Sequence, residues 1–211
     1  MPLLFNPSHA DDNGLVAIGG DLEPATLVRA YRNGVFPWFN EGDPYLWWSP
    51  DPRAIFDLDT FHVSRRLART IRSGKWRVTF DLAFRDVMTL CAERPDGLTW
   101  ITADMIDAYE RLHHLGIAHS VEAWHGDELG GGLYGISIGG FFSGESMFTR
   151  VTDGSKIALT LLIQHLRERG HVLFDTQMAT PHTARLGARE IPRSDYLKRL
   201  RHALTLPVTF A

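Results

Sequence analysis

The chain has 211 residues, 44% hydrophobic and 22% charged, which is enough apolar material for one domain or two small ones and excludes a disordered protein. A formal net charge of -3 gives no global pull on nucleic acid, so any RNA contact must come from a local patch. The opening MPLLFNPSH has no charged start leading into a long apolar run, and no stretch reaches the roughly 18 uninterrupted apolar residues of a membrane span, so a cytoplasmic protein without a membrane partner is expected.

Residues 1–51 are rich in Gly, Pro and Trp, with the turn-forming runs DDNG, GGD, NEGDP and SPDP between short apolar pieces, and predict a small irregular N-terminal domain. Within it, residues 24–33 read as a helix with Pro24 in its first turn and Gly34 just beyond its end. From 52 to 211 the pattern is regular, beginning with helices over 62–73, 81–92 and 103–115. Cys91, the single cysteine, excludes an internal disulfide, and its apolar surroundings point to a buried thiol. Residues 121–124, 129–138 and 141–148 predict three antiparallel strands, joined by His125-Gly126-Asp127 and the tight Gly139-Gly140 turn. Ser155 is placed to cap a helix that buries Ile157, Ala158, Leu161, Leu162 and Leu166 and stops at Gly170, and a strand over 171–177 follows. This order implies an α+β fold, a mostly antiparallel sheet covered by helices.

Some motif matches fail on their context. Gly130, Gly132 and Gly135 satisfy G-x-G-x-x-G, but strand residues follow where a dinucleotide loop needs a helix. Residues 139–146 have the spacing of a phosphate loop, yet Glu145 stands where Lys is required. Gly135-Ile136-Ser137-Ile138-Gly139 matches the G-x-S-x-G of serine hydrolases, with Asp175 and His182 following in chain order. Ile136 and Ile138 favour an extended strand over the strained nucleophile elbow, so a hydrolase using Ser137 is kept only as an alternative. The ten histidines form no H-x-x-x-H or Cys/His cluster, and no metal is expected.

Two places hold polar groups that need an explanation. Alternation along 171–177 puts Asp175 and Gln177 on one face of a strand near its end. Glu145 lies in another strand among Phe141, Phe142, Met147 and Phe148, where a carboxylate requires partners. From the residues alone, a structural carboxylate satisfied by backbone amides fits as well as a catalytic one. Residues 60–80 carry Arg65, Arg66, Arg69, Arg72, Lys75 and Arg77 and no acid, with Arg65, Arg69 and Arg72 on one helical face.

The segments GLVAIGGDL (14–22), GVFPWF (34–39), LWWSPDPRAI (46–55), TWIT (99–102), GGLYG (131–135), SGESMF (143–148) and HTARLGAREIPR (182–193) together resemble the leucyl/phenylalanyl-tRNA-protein transferase family, nearly end to end. The resemblance implies an acyl-CoA N-acyltransferase-like (GNAT-like) fold for residues 52–211, and transfer of Leu, Phe and, as a further candidate, Met from aminoacyl-tRNA to proteins with N-terminal Arg or Lys, marking them for N-end-rule degradation. Carried over by position, the catalytic residues are Glu145, Asp175 and Gln177. The aminoacyl pocket falls near Trp100, Leu133, Phe142, Leu159 and Leu162, and the terminal adenosine beside Trp38, with Tyr31 and Tyr109 close by. Arg65, Arg66, Arg69, Arg72 and Lys75 become the tRNA surface. Arg185 departs from the family pattern, which leads to a small polar residue there.

The amino acid on tRNA is an activated ester, so no ATP, metal or organic cofactor is implied. An α-amine, with an ordinary pKa of about 7.7–8.0, needs more positioning than activation. The expected arrangement has Gln177 accepting a hydrogen bond from the amine, Asp175 orienting Gln177 and supplying negative charge, and backbone amides holding the oxyanion. A CoA-dependent N-acetyltransferase is the alternative from the implied fold. It would need an R-x-x-G-x-G/A loop, and Arg185-Leu186-Gly187-Ala188 lacks that spacing.

Overall fold

The computed structural model describes residues 4–93, 97 and 99–211. After a short 3-10 turn at Pro7–His9 come β1 (Leu15–Ile18), α1 (Pro24–Arg32), β2 (Phe36–Pro37) and β3 (Leu46–Trp48), followed by β4 (Arg53–Phe56), α2 (Arg65–Ile71), β5 (Trp76–Phe80), α3 (Phe84–Ala92) and α4 (Ala103–His114). The meander β6 (Ala118–His125), β7 (Glu128–Ile138) and β8 (Phe141–Thr149) leads to α5 (Gly154–Arg169), β9 (Leu173–Asp175), α6 (Pro181–Arg185), β10 (Ala188–Ile191) and α7 (Arg193–Ala203). The N-terminal strands form a small antiparallel sheet in the order β1-β3-β2. The other seven form one sheet in the order β10-β4-β9-β8-β7-β6-β5, antiparallel throughout except between β8 and β9. This is the mixed α+β architecture, with a mostly antiparallel sheet, that the sequence predicted.

Alternation along the strands explains why helices cover both faces. Tyr134, Ile136 and Phe141 point to one side, where they pack with Leu27 of α1, Met88 of α3, Met105 and Leu112 of α4, and Tyr196 of α7. Leu133 and Phe142 point to the other, against Ile157, Leu162 and Leu166 of α5 and Leu67 of α2. Burying each such side chain stabilises the fold by about 1.5–3 kcal/mol. Cys91 belongs to the first cluster and is fully buried. The glycine run in β7 is a packing feature. A Cβ on Gly131 would lie 2.4 Å from the backbone of Gly154, so strand and helix touch main chain to main chain, and one on Gly135 would lie 2.3 Å from the Ser143 carbonyl.

Several expected boundaries shift for local reasons. α2 starts only at Arg65 because Ser64 caps it, its Oγ accepting from the Leu67 N–H at 3.2 Å. Asp81 is not helical: its φ of 60° and its carboxylate, which accepts from the Ser120 N–H at 2.9 Å and meets His119 Nδ1 at 2.8 Å, place it in a turn before α3. Ser155 does not cap α5, because the N-cap position is Asp153 and Ser155 lies inside the first turn with its N–H donating to Thr149 Oγ1 at 3.1 Å. β9 ends at Asp175, so Gln177 lies beyond the strand rather than on its face.

Candidate active site

A cavity of about 690 Å³ opens where β8 and β9 part. The two strands pair through Phe141–Leu173, Phe142–Phe174 and Ser143–Asp175. β8 then runs on to Thr149, while the chain after Asp175 turns away, with Gln177 at φ 57°. β4 steadies that turn: the Thr176 N–H donates to the Ala54 carbonyl and the Ala54 N–H to the Gln177 carbonyl, both at 3.0 Å. A register shift between β7 and β8 leaves Glu145 as an extra residue, since Gly144 pairs with Gly135 and Ser146 with Tyr134. A bulge of this kind re-aims a side chain, and here Glu145 lines the cavity with Gln177.

Ser143 Oγ donates to Glu145 Oε1 at 2.8 Å, and Gln177 Nε2 donates to Ser143 Oγ at 2.8 Å and to Glu145 Oε1 at 3.1 Å. With both amide hydrogens so used, Gln177 Oε1 remains as an acceptor on a residue that lines the cavity. Burial raises the Glu145 carboxyl to about 7, against the lowering effect of hydrogen bonds from Ser143 and Tyr31. The phenols of Tyr31 and Tyr109 are buried and hydrogen-bonded to each other, and burial followed by the Glu145 charge pushes both upward, so they stay neutral donors.

Asp175 lies behind this layer, fully buried. Arg53 grips it with two bonds, Nε to Oδ1 at 2.8 Å and Nη2 to Oδ2 at 2.6 Å, and the Tyr196 hydroxyl donates to Oδ2 at 2.9 Å. Arg53 also donates to the Gly34 carbonyl at 3.0 Å and lies over the rings of Phe36 and Tyr196. Burial pulls its guanidinium down, but the Asp175 charge outweighs this and holds it above the usual arginine range. The Asp175 charge is therefore matched, and what the carboxylate gives Gln177 is an anchor for its backbone N–H, at 2.9 Å from Oδ1. Sequence reasoning missed Arg53 and Tyr196. Their partner is distant in the chain, 122 residues away for Arg53, and neither stands out locally.

The family model described as "Leucyl/phenylalanyl-tRNA protein transferase" matches residues 55–201, and that for the N-terminal domain of the same family matches 20–51. The chain belongs to this family. It is 52% identical to the leucyl/phenylalanyl-tRNA–protein transferase of Anaeromyxobacter sp. (strain K) over 98% of its own length and 90% of that protein's. It is 49% identical to that of Syntrophotalea carbinolica over 98% of its own length and 92% of the relative's. Among solved structures, L-PGS from Bacillus licheniformis aligns at a TM-score of 0.42 with 18% identity, over 74% of this chain and 52% of that one.

Of the residues that the likeness to leucyl/phenylalanyl-tRNA–protein transferases suggested, Trp38, Trp100 and Leu133 line the cavity with Glu145 and Gln177. Phe142, Leu159 and Leu162 lie behind Leu133 in the second apolar cluster, fully buried. Tyr31 and Tyr109 stand under Glu145 rather than in the cavity wall. Arg65, Arg69, Arg72 and Lys75 are exposed on and after α2, whereas Arg66 is held by Asp153 through bonds of 2.6 and 2.8 Å. Arg77 lies over the Trp124 ring at 5.0 Å.

The Ser-Asp-His reading fails. Ser137 Oγ meets His171 Nε2 at 3.0 Å, not His182; Asp175 is committed to Arg53 and Tyr196; and Ser137 sits inside β7 with no elbow. Among the described residues no cluster of His, Cys, Asp or Glu could hold a metal, and no helix is long and apolar enough to cross a membrane.

Proposed function

We propose that this protein is a cytoplasmic enzyme that transfers Leu, Phe or Met from aminoacyl-tRNA to the α-amine of proteins with N-terminal Arg or Lys, marking them for N-end-rule degradation. The observation that carries this reading is Glu145, its carboxyl raised to about 7 by burial, hydrogen-bonded to the Gln177 amide in an apolar cavity, in a chain whose relatives are named for the reaction. Residues 1–51 form the small N-terminal domain and 52–211 a GNAT-like catalytic domain, a division supported by the break between the two sheets.

In this mechanism the amine enters beside Gln177, whose Oε1 accepts one of its hydrogens and aims its lone pair at the ester carbonyl. The nitrogen–carbon bond forms, the tetrahedral adduct collapses, and the bond from carbonyl carbon to ribose oxygen breaks. Glu145, with a pKa suited to exchange near neutrality, takes the proton from the amine and returns it to the departing ribose oxygen. Asp175 is a positioning residue: clamped by Arg53 and Tyr196, it fixes the backbone of Gln177. Trp100 and Leu133 form the wall for the donor's apolar side chain, with Phe142, Leu159 and Leu162 packed behind it. Trp38, 39% exposed on the cavity rim, offers its face to the terminal adenine. Arg65, Arg69, Arg72 and Lys75 receive acceptor-stem phosphates, with Arg66 beside them.

The test sets labelled leucyl-tRNA against labelled acetyl-CoA as donors to a peptide beginning with Arg. Label from the tRNA alone supports the reading, and label from acetyl-CoA in its place overturns it.

A further inference from the structure

A second cavity, of about 420 Å³, adjoins the first and shares His182 with it. Arg66, Lys156 and Arg185 line it, along with the hydroxyl-bearing Ser64 and Thr160. The carboxylate beside these cations is Asp153, which bonds Arg66 in two places and Lys156 at 3.3 Å and is not itself part of the lining. The cleft therefore carries an excess of positive charge. Arg185 projects into it from the last turn of α6 with its side chain exposed. His182 registers the same field: burial, then Arg185 and Lys156, hold its imidazole below the usual range.

His182 joins the cleft to the wall of the main cavity, where the aminoacyl ester is read to lie. Arg66, in the same lining, stands in the first turn of α2, next to Arg65 in the chain and one turn before Arg69. A positive path thus runs from the main cavity to the basic face of α2. A single-stranded RNA carries one phosphate per nucleotide and needs cations along such a path.

We propose that this cleft binds the backbone phosphates of the nucleotides just 5′ of the donor's terminal adenosine, with Arg185 and Lys156 as the principal partners. This rests on the reading of the main cavity as the aminoacyl-adenosine site. Arg185 contacts phosphate there and strengthens the hold on the donor without touching the reacting atoms.

The experiment compares wild type, Arg185→Ser and Arg185→Lys on three donors: leucyl-adenosine, which has no phosphate, the leucylated trinucleotide CCA, and leucyl-tRNA. Arg185→Ser should raise KM for the trinucleotide and for tRNA by about five- to ten-fold, the worth of one charge-assisted contact, with kcat and the nucleoside KM unchanged. Its trinucleotide affinity should fall less steeply with salt, and Arg185→Lys should restore most of the loss. Unchanged trinucleotide KM in Arg185→Ser, or equal loss with the nucleoside donor, overturns the proposal while leaving the main cavity's role intact. A wild-type protein that transfers from none of the three donors overturns that role, and the cleft's with it.

Discussion

Replacing Glu145 with Gln should make the protein more stable above neutrality while removing its activity. The Glu145 carboxyl is held up at about 7 from an ordinary 4.5, chiefly by burial. Between those values the folded state keeps a proton that the unfolded chain gives up, so this group's contribution to stability is greatest on the acid side and is lost as pH rises through the window. By about pH 8 the ionised, desolvated carboxylate costs roughly 3 kcal/mol. Glutamine has no charge to desolvate, and its carbonyl oxygen accepts from Ser143 as the carboxylate does. Glu145→Gln should therefore match wild type near pH 4.5 and exceed it by about 1–3 kcal/mol at about pH 8, the lower figure allowing for the open side of the cavity. Urea unfolding of both proteins across this range measures the difference directly, because the other groups titrate alike in both. Parallel stability curves from pH 4.5 to 8 would refute the raised carboxyl and, with it, the proton-carrying role of Glu145.

Arg53→Ala strands Asp175 in the core and should cost about 3–5 kcal/mol, whereas Arg53→Met with Asp175→Leu should cost less than the sum of the single changes, a coupling that a urea double-mutant cycle reads out. Trp38→Ala should weaken donor binding by about ten- to a hundred-fold and equally for leucyl- and phenylalanyl-tRNA, because adenosine is common to both. Trp100→Ala should instead change the ratio of the two donors in direct competition, since it removes part of the side-chain wall; an unchanged ratio would reassign the pocket. Reversing Arg65, Arg69 and Arg72 should weaken use of charged tRNA and flatten its salt dependence while sparing leucyl-adenosine, and equal loss with both donors would remove α2 from the RNA path.

The elements that the sequence announced most clearly are those whose signals are local. α4 shows helical periodicity between Thr102 and Leu115, the β7–β8 turn carries Gly139-Gly140, and α5 ends at Gly170. β4 gave no such signal: all four of its residues are buried, so alternation is absent, and one of them is an arginine that only a distant aspartate makes tolerable. The site was legible as residue types but not as an arrangement. Glu145 and Gln177 were placed by likeness, yet their contact comes from a bulge in β8 and a left-handed residue after β9, and the second of these breaks the alternation used to pair Asp175 with Gln177. The partners of Asp175 were not legible for a related reason, because strand periodicity says which face a side chain takes but not which cation waits behind it.

The measurement that bears most directly on the whole account is the mass of an Arg-initiated peptide after incubation with leucyl-tRNA, run with the α-amine free and acetylated, and with wild-type protein and Gln177→Ala. The account predicts one added leucyl residue on the free amine with wild type, none on the acetylated peptide, and at most a trace with a folded Gln177→Ala. Addition to the acetylated peptide, or undiminished addition by Gln177→Ala, would contradict it.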